Sequence, residues 1–171
     1  MAISKKELNN FADSLPDMCR RERARFFIGE GSWDSRARKA FAAALPDWYC
    51  SALSVSLEEV RDYVYVEGWN SIPADKRGEP FFGTKMHPDA AIISRDGFSV
   101  AIELDHGVKG SQIRNALAKA SFSVLLGKFD RAMLLFFWDE GISMDRTTRS
   151  EADDEVLQEF RERFQTTLHI I

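Results

Sequence analysis

The spacing of apolar positions divides the first part of the 171-residue chain into helical segments. Residues 4–28 repeat apolar side chains at helical spacing and predict one or two helices, with Pro16 near a helix start. A further helix is predicted from an N-cap at Asp34 to about Leu45, where Pro46 should end it. The first third of the chain is therefore expected to be helical.

The middle of the chain predicts the first strands of a sheet. Segment 62–69, DYVYVEGW, alternates and is rich in β-forming residues, so it predicts a strand. Segment 70–85 holds two prolines and two glycines and predicts a long irregular loop, a type that is often functional. Two apolar runs, 89–94 and 98–104, flank a turn signal at 95–97 and predict a hairpin.

The remaining chain alternates between helical and extended patterns. A helix is predicted from an N-cap at Ser111 to a stop at Gly127. The continuous apolar run 131–138 is typical of a central strand covered on both faces. Residues 151–165 predict a helix, and residues 166–171 predict a last strand. The apolar stripe of the 151–165 helix is expected to consist of Val156, Phe160 and Phe164.

This order of elements predicts an α/β fold with a mixed sheet flanked by helices. The strand-helix-strand unit 98–138 should have parallel strands, whereas the strands before it should be antiparallel. The length suits one domain over 1–171. Within it we expect a helical part at 1–56, a core at about 57–138, and a helix and strand at 150–171.

Composition and charge narrow the functional classes. The net charge of −4 comes from the last 22 residues, which carry six acids and two arginines, because the other 149 residues carry 21 charges of each sign. The locally basic segments 20–25 and 35–39 are compatible with a phosphate-facing surface or with an ordinary solvated helix face. The sequence starts without an apolar signal region and contains no apolar run of membrane-spanning length, so we expect a cytoplasmic protein with no membrane contact.

Three carboxylates stand at the ends of the two hairpin strands: Asp89, Glu103 and Asp105. The turn decides whether they meet, because opposed residues of an antiparallel pair point to the same face. A two-residue turn sends Asp89 away from Glu103, whereas a three-residue turn pairs Ser94 with Phe98 and places Asp89 across from Glu103. We expect the three-residue turn, because it gathers three costly charges where one divalent cation can satisfy them. The alternative is that the acids are ordinary strand-end charges near solvent.

Two short segments lie about one hairpin apart in the chain: the dipeptide Pro88-Asp89 and the tripeptide Glu103-Leu104-Asp105. Together they resemble the motif of the PD-(D/E)xK nuclease superfamily. That superfamily includes many type II restriction endonucleases. Its core order of helix, three-strand meander, helix and strand is similar to the elements predicted over about 57–138. The resemblance implies a restriction-endonuclease-like fold and a Mg²⁺-dependent endonuclease acting on double-stranded DNA. It also implies a metal site of Asp89, Glu103 and the Leu104 carbonyl, in a homodimer that cuts both strands.

The chain departs from the superfamily at one position, because Asp105 stands where the motif lysine is usual. Three explanations remain open. Asp105 acts as a metal ligand or general base, as in a restriction-enzyme branch with a second acid; or Lys109 or Lys119 supplies the missing cation; or the site is inactive. In the last case the chain would be a DNA-binding or protein-interaction domain. An unrelated α/β protein is a further alternative.

A fourth acid often joins such sites from an earlier element, and Glu30, Glu59 and Glu67 are the candidates. Contacts to DNA are expected from the loop 70–85 and from the start of the helix that follows the acids. The predicted DNA-binding residues are Lys76, Arg77 and Lys85 in the loop, and Ser111, Gln112 and Arg114 on the helix.

Overall fold

A computed structural model describes residues 3–78, 80–81, 84–85, 87–139 and 151–171. Within them lie four α-helices: α1 (Lys5–Arg21), α2 (Trp33–Leu53), α3 (Gly110–Leu125) and α4 (Glu151–Phe164). The strands are β1 (Val64–Val66), β2 (Pro80–Phe81), β3 (Thr84–Lys85), β4 (Ala90–Ile93), β5 (Ser99–Gly107), β6 (Arg131–Trp138) and β7 (Thr166–Ile170). None of the helices in these ranges combines the length and apolar character needed to cross a membrane.

Five strands form one mixed sheet in the order β1-β4-β5-β6-β7, and β2 pairs with β3 separately. The pairs β1/β4 and β4/β5 are antiparallel, while β5/β6 and β6/β7 are parallel. Helix α3 connects β5 to β6, and α4 connects β6 to β7 along the chain. The predicted mixed sheet flanked by helices is confirmed.

Each face of the sheet has its own core. One core joins α1 and α2 to a sheet face that includes Ile102, Met133 and Phe137. The other joins α3 and α4 to a face that includes Ala101 and Phe136. Because neighbouring residues of a strand point to opposite faces, β5 contributes to both cores.

Two prolines were expected at helix boundaries, and the structure corrects both. Helix α1 runs through Pro16, and α2 runs through Pro46 to Leu53 instead of ending at Leu45. Both prolines are buried, so core packing outweighs the loss of a helical hydrogen bond. The N-cap of α2 is Ser32 and not Asp34, since the Ser32 hydroxyl accepts a hydrogen bond from the Ser35 N–H at 3.3 Å.

Other boundaries also differ from the prediction. Strand β1 covers only 64–66 of the predicted 62–69, because a 3₁₀ turn occupies Glu59–Asp62. On α4 the apolar stripe is shifted, since Val156 is 53% exposed and Leu157 packs against the core beside Phe160. The strand predicted at 98–104 extends to Gly107, which places Glu103 and Asp105 inside β5 and not at its end.

Candidate functional site

The β4–β5 turn sets the geometry of the site. The Ser94 N–H donates to the Phe98 carbonyl at 2.8 Å, and Gly97 takes a left-handed φ of +87°. These contacts confirm the three-residue turn, for which glycine is suited because it lacks a Cβ. Ala90 therefore pairs with Ile102, and extending this register by one residue places Asp89 opposite Glu103.

Asp89 is fixed at the end of β4 by a hydrogen bond to the neighbouring strand. The Leu104 N–H donates to Asp89 Oδ2 at 2.9 Å, so the carboxylate continues the ladder after β4 ends. Asp89 is only 9% exposed. The N–H and C=O of one strand residue point to the same side, so the Leu104 carbonyl also faces this edge.

Glu103 is buried beside Asp89 and paired with a lysine from α3. Its side chain is 4% exposed, and the Lys119 ammonium lies 2.7 Å from Glu103 Oε2. Burial, reinforced by the Asp89 carboxylate, raises the pKa of Glu103 to about 8 despite the lysine. Burial acts to lower the pKa of Lys119, but the carboxylates of Glu103 and Asp89 raise it, so this lysine stays charged.

Asp105 lies on the same face of β5 but makes a local contact. The His106 N–H donates to Asp105 Oδ1 at 2.7 Å. Burial raises the pKa of the Asp105 carboxyl above its ordinary value. In the parts of the chain described above, no three His, Cys, Asp or Glu side chains are arranged to hold a metal ion together. Asp105 therefore does not complete a three-carboxylate cluster with Asp89 and Glu103.

Two further residues stand next to Asp89: Arg38, which the sequence did not indicate, and Glu67, one of the three candidate fourth acids. The Arg38 guanidinium of α2 lies 3.9 Å from Asp89 Oδ1 and forms a closer ion pair with Glu67. The Glu67 N–H donates to the Asp89 carbonyl at 2.9 Å, which continues the β1–β4 ladder. Of the three candidate fourth acids, Glu67 is thus the one next to Asp89. The β1–β4 pairing is the signal that could have identified it.

The other two candidate acids have different surroundings. The Glu59 carboxylate accepts a hydrogen bond from the Ser56 hydroxyl at 2.9 Å, at the start of a 3₁₀ turn. Glu30 is exposed and lines a separate depression with Arg25 and Arg36. Neither residue contacts Asp89 or Glu103 in the described structure.

The start of α3 differs from the prediction. The N-cap is Lys109 and not Ser111, because the helix begins at Gly110. Lys109 is exposed and precedes Lys119 by ten residues, which is about 15 Å along a helix. The structure therefore brings Lys119, and not Lys109, to the carboxylates.

The predicted DNA contacts on α3 divide into two kinds. Ser111 and Arg114 are exposed on the first turns of the helix. Gln112 has a structural contact, since its Oε1 accepts from the N–H groups of Val108 and Lys109, each at 3.0 Å. Gly107 makes room for this arrangement, because a Cβ there would lie 2.6 Å from Gln112 Cδ.

The loop residues Lys76 and Arg77, both predicted to contact DNA, lie at different places in the structure. The Lys76 ammonium donates to the Ser99 hydroxyl at 3.0 Å, at the end of β5 away from the acids. The Arg77 guanidinium donates to the Ile72 carbonyl at 3.2 Å, and Arg77 lines a cleft that ends at Asp89. The Lys85 side chain lies outside the described residues.

The cleft beside Asp89 has a volume of about 230 Å³. Its lining includes Tyr65, Glu67, Arg77, His87 and Asp89. His87 Nδ1 is buried and has no hydrogen-bond partner among the described residues. Polar groups of both charges therefore converge on open space next to the Asp89 carboxylate.

The acidic side chains of the site outnumber its basic ones. With every acid ionised, Asp89, Glu103, Asp105 and Glu67 carry −4, and Lys119 and Arg38 carry +2, which leaves −2. The candidate cation donors at this edge of the sheet are oxygens: the carboxylates of Asp89 and Glu103 and the carbonyl of Leu104. Mg²⁺ prefers such oxygen ligands and commonly takes only one or two carboxylates from the protein. The raised pKa of Glu103 also marks a buried carboxyl that a bound cation would help to ionise.

Comparison with known proteins finds no matching family, no matching curated protein and no matching solved structure.

Proposed function

We propose that this chain is a Mg²⁺-dependent endonuclease of double-stranded DNA with a restriction-endonuclease-like fold. The supporting observation is the contact of 2.7 Å between Lys119 and Glu103, across from Asp89. It supplies a cation where the resemblance to the PD-(D/E)xK superfamily lacked one, since Asp105 occupies the usual lysine position. The mixed sheet and the order of its elements also agree with that resemblance.

Asp89, Glu103 and the Leu104 carbonyl would hold the cation. When bound, Mg²⁺ supplies neutralisation of phosphate charge and stabilisation of the departing oxygen. The hydrogen bond from the Leu104 N–H keeps Asp89 in place for this purpose. The short β4–β5 turn fixes Glu103 relative to Asp89 in the same way.

The chain's own residues would direct the attacking water. In hydrolysis, a bond forms between the water oxygen and phosphorus while the bond from phosphorus to the departing oxygen breaks. The Lys119 ammonium, 48% exposed beside Glu103, would hold that water and neutralise the phosphate. Asp105 would accept a proton from the water, because its raised pKa makes it a better base than an ordinary aspartate. The departing oxygen then takes a proton from solvent.

A second candidate is a catalytically inactive domain of the same fold that binds DNA or another protein. It is favoured by the ion pairs of Lys119 with Glu103 and of Arg38 with Glu67, which already compensate much of the acidic charge. Such a domain would keep the fold without binding a divalent cation tightly.

We also propose a homodimer for the enzyme, because a symmetrical double-strand cut requires two sites.

The deciding experiment is cleavage of plasmid and linear DNA with Mg²⁺, Mn²⁺ or EDTA, with calcium binding measured by calorimetry. We expect metal-dependent cleavage that falls by at least about a hundredfold in Asp89→Asn and in Lys119→Met. Lys109→Met tests the other candidate lysine and should have a much smaller effect. Asp105→Asn tests the proposed base.

Two results would contradict the proposal. Absence of cleavage together with absence of calcium binding would favour the inactive domain. Cleavage that survives Lys119→Met but is lost in Lys109→Met would move the catalytic cation to the start of α3. Circular dichroism of each variant separates loss of activity from loss of fold.

A further inference from the structure

A basic depression runs along the first half of α2, outside the site described above. It has a volume of about 610 Å³ and is lined by residues that include Arg25, Ile28, Glu30, Arg36 and Lys39. Three of these side chains are cationic and one is acidic. The surface is therefore positive, in contrast to the acidic site.

The depression continues toward Asp89. Lys39 also lines a second depression, which it shares with Arg38 and Glu67. Glu67 in turn lines the cleft that contains Asp89 and Arg77. Each depression thus shares a lining residue with the next, and we call the surface that the three line together, from Arg25 to Arg77, the α2 groove.

Two cations of the α2 groove, Arg36 and Lys39, form no ion pair among the described residues, whereas Arg25 is paired with Glu22 and Arg38 with Glu67. Lys39 is exposed and forms no ion pair with any residue that the structure describes. Arg36 is half-buried: its Nη1 makes one long hydrogen bond to the Gly29 carbonyl at 3.4 Å, and its Nε is buried without a partner among the described residues, so a ligand would be bound through its terminal nitrogens. Arg36 and Lys39 are three residues apart on α2 and therefore lie on the same side of the helix.

The shape and charge of the α2 groove suit a nucleic-acid backbone. Phosphates recur regularly along a strand, and a protein binds them with arginines and lysines spaced along an open surface. Each depression of the α2 groove has at least one cation in its lining: Arg36 and Lys39 in the first, Arg38 in the second, and Arg77 in the one that contains Asp89. A small anionic ligand would need only one of these positions.

We propose that the α2 groove binds the sugar-phosphate backbone of duplex DNA and leads it to Asp89. This inference rests on the proposed nuclease function and names the surface that holds the substrate. It adds Arg36, Lys39 and Arg38 to the DNA contacts. Arg38, which lines the middle depression of the groove, would exchange its contact with Glu67 for a phosphate.

The test is the affinity for a fluorescent 25-base-pair duplex, measured by anisotropy over a range of salt concentrations with Ca²⁺ present. Each phosphate contact contributes about 0.9 to the slope of log affinity against log salt. We expect the double variant Arg36→Ala/Lys39→Ala to lower that slope by about 2 and the affinity by roughly ten- to a hundredfold. The single variant Lys39→Glu, at an exposed position, tests the same surface if the double variant folds poorly.

Lys6→Ala is the matched control. Lys6 is an exposed lysine near the start of α1, where the Lys5 ammonium lies 4.7 Å from the centre of the Phe98 ring. Phe98 precedes β5, at the end of the sheet away from Asp105. Lys6→Ala should therefore leave both slope and affinity unchanged.

The outcomes separate this inference from the nuclease function. Normal DNA binding and cleavage by the α2-groove variants would overturn the inference and leave the nuclease intact. Salt-dependent duplex binding that requires Arg36 and Lys39, without cleavage in Mg²⁺, would support the α2 groove and count against the nuclease. No binding of duplex by the unmodified protein, or tighter binding of single-stranded RNA through the same residues, would overturn the assignment of duplex DNA.

Discussion

The two faces of β5 have opposite chemistry. Val100, Ile102 and Leu104 point toward α1 and α2 and belong to a core of large apolar side chains. Ser99, Ala101, Glu103 and Asp105 alternate with them and point to the other face. One strand thus provides both a stabilising surface and a set of buried polar groups.

The contrast shows where the fold can tolerate a costly site. A buried carboxyl lowers stability unless it is paired, and Glu103 forms a single ion pair, with Lys119, among the residues that the structure describes. The apolar face of the same strand compensates, because it buries large side chains completely. Beside the acids the residues are small, with Ala91 paired directly to Ala101, so α3 can bring Lys119 close to Glu103.

Ile102→Ala should have the largest effect on stability, because it opens a cavity in the apolar face. Ile102 has no exposed surface. We expect the free energy of unfolding to fall by about 2–5 kcal/mol, as measured by urea denaturation. Leu57→Ala is the control, since Leu57 is 63% exposed and should change stability by less than about 0.5 kcal/mol. Equal losses in the two variants would contradict the assignment of the core.

The acidic face should make stability depend on pH in the absence of divalent cations. The folded protein raises the pKa of Glu103 to about 8, so the folded state holds a proton that the unfolded state releases. The stabilisation is complete below the ordinary pKa of 4.5 and is lost as pH rises through 8. Between pH 6.5 and 8 the free energy of unfolding should fall by at most about 1.4 kcal/mol per pH unit.

Glu103→Gln provides the comparison for this slope, because it removes the titrating group and keeps its size. His169 acts in the opposite direction below pH 6.5, since burial lowers its pKa to about 4. The difference between the unmodified protein and the variant cancels that contribution. Urea denaturation at several pH values measures both, and identical slopes would refute the role of Glu103.

Ala101→Leu tests the need for small residues on the acidic face. Ala101 is completely buried in the core under α3. A larger side chain should cost about 1–3 kcal/mol and displace α3, which moves Lys119 away from Glu103. Ala118→Leu is the control, because Ala118 is exposed on the same helix. If both variants unfold at the same urea concentration, space beside the acids does not matter.

The sequence predicted the contact of Asp89 with Glu103 because turn length and strand parity are local properties. Residues 94–98 determine the length of the turn, and the register of the β4–β5 pair then places Asp89 opposite Glu103. Lys119 was one of two candidates, since its contact depends on how α3 lies on the sheet. Arg38 was not identified because its approach to Asp89, 51 residues later in the chain, depends on how α2 packs against the sheet. The predicted end of α2 before Pro46 was wrong for the same reason, because packing in the core extends the helix to Leu53.

Gln112 should have the smallest effect, and it separates a structural role from the predicted contact with DNA. Gln112→Ala removes the acceptor for the N–H groups of Val108 and Lys109 and should cost about 0.5–1.5 kcal/mol. Gln112→Glu keeps an acceptor and places a negative charge near the start of α3, where the helix dipole favours it. It should therefore retain stability in urea denaturation. If Gln112→Glu is stable but binds duplex DNA more weakly than Gln112→Ala, the side chain also faces the phosphates. If both variants bind duplex equally well, Gln112 only joins β5 to α3.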